Sequence, residues 1–100
     1  MEISNAVEKL AALAQESRLT VFRLLVEAGP NGISAGEISE ELEIPPPTLS
    51  FHLKDLSHAG LINSVREGRS IYYSVNFTGI SDLLDYLKKN CCRRSKGGRC

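Results

Sequence analysis

The chain of 100 residues has no tryptophan, one methionine, two histidines and no cysteine before position 91. Each shortage excludes something. With no cysteine in the body, no disulfide framework can hold the fold together, so an ordinary apolar core must. Only His52 and His58 offer imidazole. There is no H-E-x-x-H, no phosphate loop and no serine–base–acid set, so no catalytic constellation is visible and no enzyme is expected. No apolar run approaches 18 residues, which excludes a spanning helix. The start, MEISNAVEKLAALAQ, lacks the basic end and unbroken apolar stretch of a secretory signal, so the expected location is cytoplasmic. Net charge is absent too: 12 Lys and Arg balance 12 Asp and Glu. A partner rich in phosphate would have to be met by local patches rather than by bulk attraction.

What is present suits one small globular domain, 42% hydrophobic and 24% charged. A chain this short buries little surface alone, which makes a homodimer attractive. The charge is unevenly spread. Residues 1–50 carry eight glutamates against Lys9, Arg18 and Arg23, while Arg93, Arg94, Lys96 and Arg99 crowd the last ten residues. All three cysteines, Cys91, Cys92 and Cys100, lie among those terminal cations.

Apolar residues recur at helical spacing over 3–14, through Ile3, Val7, Leu10, Ala11 and Ala14. Ser17 is a candidate cap for a helix over Arg18–Ala28, stopped by Gly29-Pro30 and Asn31-Gly32. Ser34 with Glu37 forms a capping-box pattern before a short helix carrying Ile38 and Leu42. Pro45-Pro46-Pro47 is compatible with a helix start, because first-turn N–H groups need no intrahelical partner. That helix runs to about His58 and ends at Gly60. At about 100° per residue, Leu49, Leu53 and Leu56 share one face and Pro47, Phe51, Lys54 and His58 lie opposite. Alternation then predicts strands over Leu61–Val65 and Ser70–Val75, joined by Arg66-Glu67-Gly68-Arg69. A last helix over 78–90 carries Ile80, Leu83, Leu84 and Leu87. The fold class is mostly α with a small β-hairpin, in the order α-α-α-α-β-β-α. Residues 1–90 form the domain and 91–100 a flexible basic cysteine-bearing tail.

Two helices joined at Glu43-Ile44-Pro45 and followed by a hairpin make a winged helix-turn-helix. The stretches SRLTVFRLL (17–25), TLSFHLKDLSHAGLI (48–62) and VREGRSIYYSV (65–75) carry a family likeness. Over about Leu13–Asn76 the chain resembles the ArsR-type metalloregulatory repressors, which are winged helix-turn-helix dimers. The ending NCC with a later cysteine is similar to a subgroup that senses trivalent arsenic through three C-terminal cysteines. Two departures stand out. Residues 37–42 hold no cysteine pair, where the best-known arsenic sensors carry one. The last helix has Asp82 and Asp85 but no histidine for a zinc or nickel site.

The resemblance implies near-palindromic operator duplex as the partner. Pro47, Thr48, Ser50, Phe51, Lys54 and His58 would face it on the recognition helix, with Arg66 and Arg69 on the wing. The bland alternative is an ordinary amphipathic helix and a solvated turn. His52 lies at the edge of the leucine stripe and reads as a packing or orienting residue. Tyr72 and Tyr73 alternate, so one faces the core. Val7, Leu10, Ile80, Leu83, Leu84 and Leu87 are candidates for a dimer face, unless intramolecular packing consumes them. Cys91, Cys92 and Cys100 would hold As(III) or Sb(III), soft centres that prefer thiolates. A zinc site would want a fourth ligand and a C-x₂₋₄-C spacing, and neither is visible. Two rivals remain: a repressor of the same fold that reads thiol oxidation or persulfide, and a metalloid-sequestering protein that binds no DNA.

Overall fold

The computed structural model describes residues 1–97. Its elements run α1 (Ile3–Leu13), α2 (Glu16–Ala28), β1 (Ile33–Ser34), α3 (Ala35–Leu42), α4 (Pro46–His58), β2 (Ile62–Glu67), β3 (Ser70–Val75) and α5 (Phe77–Lys88). The mostly helical order with a hairpin before the last helix is the expected one. The addition is β1, a two-residue strand that pairs with β3 through Ile33↔Tyr73 and Ser34↔Tyr72, giving a sheet ordered β1-β3-β2. Two residues are too few to show alternation, and their pairing lies about 40 positions away in sequence, where no periodicity reports it.

Local chemistry explains the boundaries. Helix α2 is capped by Gln15 and not by Ser17: the Gln15 Oε1 accepts the Arg18 N–H at 2.8 Å, and Ser17 falls inside the helix. Ser34 does cap α3, its Oγ accepting the Glu37 N–H at 3.2 Å. In place of the reciprocal backbone bond of a capping box, the Glu37 carboxylate lies 3.3 Å from the Ser34 hydroxyl. The α3–α4 turn closes through Glu43 in the left-handed region at φ 54, with the Ile44 N–H donating to the Ser39 carbonyl at 3.1 Å. Pro45 is the N-cap of α4, and Pro46 and Pro47 occupy its first turn, where no donor is wanted. At the wing tip Gly68 has φ 61 and Arg69 does not share the positive sign, the φ pattern of a type II′ hairpin turn.

The core gathers one face of each element. Val21, Leu25, Ile38, Leu49, Leu56 and Leu61 are fully enclosed, with Phe22, Leu53, Ile62 and Val75 around them. Tyr73 packs against this cluster, so it is the tyrosine of the pair that turns inward. Helices α1 and α5 pack side by side, and outside the main cluster α1 buries Ala6 while α5 buries Gly79 and Leu83. Leu13 and Ile80 pack partly buried against the cluster, while Ile3, Val7, Leu10, Phe77, Leu84 and Leu87 stay in solvent.

The pairing of β1 with β3 depends on Gly32. Its φ is +71, and a Cβ there would collide with the Tyr73 backbone carbonyl. Neither the strain nor the clash can be relieved by a side-chain rotation. Gly32→Ala is expected to lower the thermal midpoint by roughly 10 °C or more, equivalent to about 2 kcal/mol in a domain of this size. Gly29→Ala is the internal control. Gly29 has φ +80 but open space around its Cβ position, so it should lose only the strain component. Equal losses in the two variants, read by calorimetry, would show that the close approach to Tyr73 does not matter.

Candidate nucleic-acid interface and cysteine tail

Three leucines orient α4. Leu49, Leu53 and Leu56 are 1%, 3% and 0% exposed, so the opposite side must face outward. Pro47, Thr48, Ser50, Phe51, Lys54 and His58 are all exposed there, as the spacing predicts. Phe51 is the least expected of them in water, with 69% of its surface exposed. An aromatic held out beside Ser50 and Lys54 offers an apolar contact for a thymine methyl between groups that bond bases or phosphate. His52 is half-buried at the helix margin, and its Nδ1 is enclosed without a hydrogen-bond partner among the described residues. Its position suits packing rather than ligation.

The wing extends beyond α4. Arg66 and Arg69 flank the Gly68 turn and are exposed, with the Arg66 Nε–H making a long 3.4 Å approach to the Gly68 carbonyl. A cationic hairpin tip next to an exposed recognition helix can hold phosphates or enter a minor groove. Replacing both arginines by alanine is expected to weaken duplex binding and flatten its salt dependence. Log affinity against log salt should lose a slope of about 0.9 per phosphate contact removed. A slope equal to wild type, measured by anisotropy between low and physiological salt, would take the wing off the phosphates.

Of the six residues expected at a dimer face, four stand open to solvent in the single chain. Val7 is 57% exposed, Leu10 42%, Leu84 53% and Leu87 54%. Leu83 is 2% exposed inside its own protomer, and Ile80 packs partly buried against the core cluster. A stripe of leucines on a short helix cannot by itself reveal which member the same chain covers.

Beyond α5 the chain continues as turns. The Cys91 N–H donates to the Lys88 carbonyl, Arg93 to Asn90 and Ser95 to Cys92, at 2.9, 3.1 and 2.9 Å. Asn90 and Cys92 take positive φ, 61 and 62, which breaks the regular helical spread of neighbouring side chains. As a result the Sγ atoms of Cys91 and Cys92 stand 3.4 Å apart. Two bonds of about 2.3 Å to one ion would subtend that separation at about 95°. Cys92 is disulfide-bonded, so its sulfur becomes a thiolate ligand only on reduction. Cys100 lies outside the described residues. Among the described residues no group of three metal-binding side chains comes together.

Three residues with clear structural work escaped the sequence. Arg18 is legible in the sequence only as a charge opening a helix, and Asp55 and Asn76 have no role assigned there. Arg18 bonds the end of α1 and pairs with Asp55, while Asn76 caps α5 and reaches Gly60. The one local signal was Asn76 directly before the last helix, a favoured capping residue.

An exposed helix-turn-helix with a basic two-stranded wing defines a DNA-binding transcriptional regulator, a non-enzymatic protein. The sequence profile of the helix-turn-helix domain family matches residues 13–65. The chain belongs to that family, as a winged regulator related to the ArsR/SmtB–HlyU group. It is 31% identical over 93 residues to the transcriptional activator HlyU of Vibrio cholerae, covering 93% of this chain and 83% of that protein. It is 32% identical over 91 residues to the arsenical resistance operon repressor of Bacillus subtilis, covering 91% and 83%. The solved structure of HlyU from Vibrio cholerae superposes with a TM-score of 0.72 at 33% identity, covering 92% of this chain and 99% of that one. No helix of the described residues is long and apolar enough to cross a membrane.

Proposed function

We propose that the protein is a homodimeric cytoplasmic repressor that occupies a near-palindromic operator and is released by trivalent arsenic or antimony. The observation that carries the metalloid reading is the pair of sulfurs 3.4 Å apart on the turns that follow α5. Cys91 and Cys92 supply two thiolates, once reduced, and Cys100 supplies the third. Likeness to the Bacillus subtilis arsenical resistance operon repressor supports the same reading.

The mechanism follows from position. Cys91 and Cys92 follow the end of α5, whose Leu84 and Leu87 belong to the proposed dimer face. An ion that gathers the tail against that helix end alters how the two protomers meet. Two recognition helices must stand about 34–36 Å apart to read successive half-sites, so a small change in their set lowers affinity. A coupling of about 1.4 kcal/mol already changes binding tenfold. Gathering the tail also removes its arginines and lysine from the neighbourhood of the phosphates.

A second reading has its own observation. Cys92 is disulfide-bonded, and a tail that switches between dithiol and disulfide would be an oxidation sensor of the same fold. One experiment separates the two. A duplex selected by the protein from a randomised pool is bound to the reduced chain, and release is followed by anisotropy while arsenite is added. Arsenic X-ray absorption is recorded at the same stoichiometry. Three As–S bonds per ion together with release is the expected result. Oxygen or nitrogen in the first shell would overturn the metalloid reading, and release by peroxide or persulfide but not by arsenite would establish the oxidative one.

A further inference from the structure

Two side chains fasten the recognition helix to the two helices that carry the exposed apolar face. Arg18 makes the first link. Helix α1 has no basic residue in its own last turn, and of its last carbonyls Ala11 accepts only the long 3.3 Å bond from the Ala14 N–H. Arg18, which follows in α2, completes this end: its Nε–H donates to the Ala12 carbonyl at 2.7 Å, and an Nη2–H adds a 3.4 Å contact to the Ala11 carbonyl. From that fixed position its Nη1 reaches the Asp55 carboxylate on α4 at 3.4 Å. Asn76 makes the second link. Its Oδ1 accepts the Gly79 N–H at 3.1 Å, which caps α5, and its Nδ2 donates to the Gly60 carbonyl at 2.9 Å, just past the end of α4. The fit there is close, because a Cβ on Gly79 would collide with the same Gly60 carbonyl.

Both links share a design. One end of each side chain completes a helix terminus, and another atom crosses to the C-terminal half of α4 or its end. The Arg18–Asp55 crossing is a poor candidate for stabilising the fold, because the Asp55 side chain is 56% exposed, where an ion pair contributes little. The Asn76–Gly60 crossing is part-buried and contributes some stability as well. Both are well placed to fix an angle.

We propose that Arg18 and Asn76 are positioning residues that transmit the set of α1 and α5 to the DNA-reading helix, so that what happens at the dimer face reaches the operator. This rests on the reading that α1 and α5 form the dimer.

Substitutions can cut each crossing while sparing its cap. Asp55→Ala removes the acceptor on α4 and leaves Arg18 on the Ala11 and Ala12 carbonyls. Asp55→Asn removes the same charge but keeps an acceptor. Asn76→Asp retains a capping oxygen, since Asp and Asn cap about equally, and loses the donor to Gly60. The probes are the duplex selected by the wild-type full-length chain and a scrambled duplex of the same composition. Anisotropy gives the affinity ratio, sedimentation the dimer, and a thermal scan the folded state. Asp55→Ala and Asn76→Asp are each expected to lower the ratio about tenfold with the dimer retained. Asp55→Ala keeps the thermal midpoint, whereas Asn76→Asp, whose second carboxylate oxygen meets the Gly60 carbonyl, lowers it while the chain stays folded at the assay temperature. Asp55→Asn should stay close to wild type. The proposal is overturned if the ratio is unchanged, if Asn and Ala at 55 act alike through lost charge, or if the ratio falls only when dimer or fold is lost. A wild-type chain that sediments as a monomer would refute the dimer reading itself, a result read separately from the ratios.

Discussion

Leu84→Asp is expected to dissociate the dimer and abolish operator binding while leaving a folded protomer. The side chain is 53% exposed in the single chain, so the substitution removes little from the core. It lies on α5, which packs beside α1 with its exposed Val7 and Leu10. In a two-fold interface each substitution appears on both sides of the axis. Burying an unpaired carboxylate costs about 3–5 kcal/mol, so the dissociation constant of the dimer should rise by at least about a hundredfold. Operator affinity falls with it, because a lone protomer engages one half-site. Leu83→Asp, its neighbour, should behave differently. Leu83 is 2% exposed within its own protomer, so the charge would unfold the chain instead of separating folded protomers. Sedimentation with circular dichroism distinguishes the outcomes. A Leu84→Asp chain that sediments as a dimer at wild-type concentrations would place the interface elsewhere.

Changing the cysteines should leave operator binding intact and remove the response. Cys91→Ser or Cys92→Ser breaks the pair held 3.4 Å apart, and with it the anchor for a soft ion. Each is expected to bind the selected duplex as wild type does and to stay bound when arsenite is added. Cys100→Ser should retain the Cys91–Cys92 pair, giving a weaker and partial response, since its place is to close the ring across Gly97-Gly98. Zinc should compete poorly, for want of a fourth ligand. The size of the effect is the whole of the arsenite-dependent release, read as a change in anisotropy. A triple serine variant that still leaves the duplex on adding arsenite would refute the tail as the sensor.

Much of the fold was legible in the sequence because its signals are local. The leucine spacing at 49, 53 and 56 is set by helical geometry, and the same geometry put Phe51 and Lys54 in solvent. Pro45 to Pro47 marked a helix start through their missing donors, and Gly68 marked the wing turn through its positive φ. Boundaries failed where two residues compete for one role. Gln15 and Ser17 both offer a capping oxygen, and the one used is decided by where α1 ends and how the chain enters α2. The strand β1 was invisible because its only reason to extend is β3, far along the chain.

The sequence by itself determined the helical order, the wing, the outward face of α4 and the gathering of thiols at one end. Each depends on torsional preference, periodicity or composition within a short window. Only the tertiary structure decided which leucine of α5 faces inward, that Arg18 closes a helix it does not belong to, and that Asn76 joins α5 to the end of α4. Those outcomes depend on distances between segments separated by many residues. A side chain's partner across such a gap is set by packing of the whole core, and no local pattern carries that information.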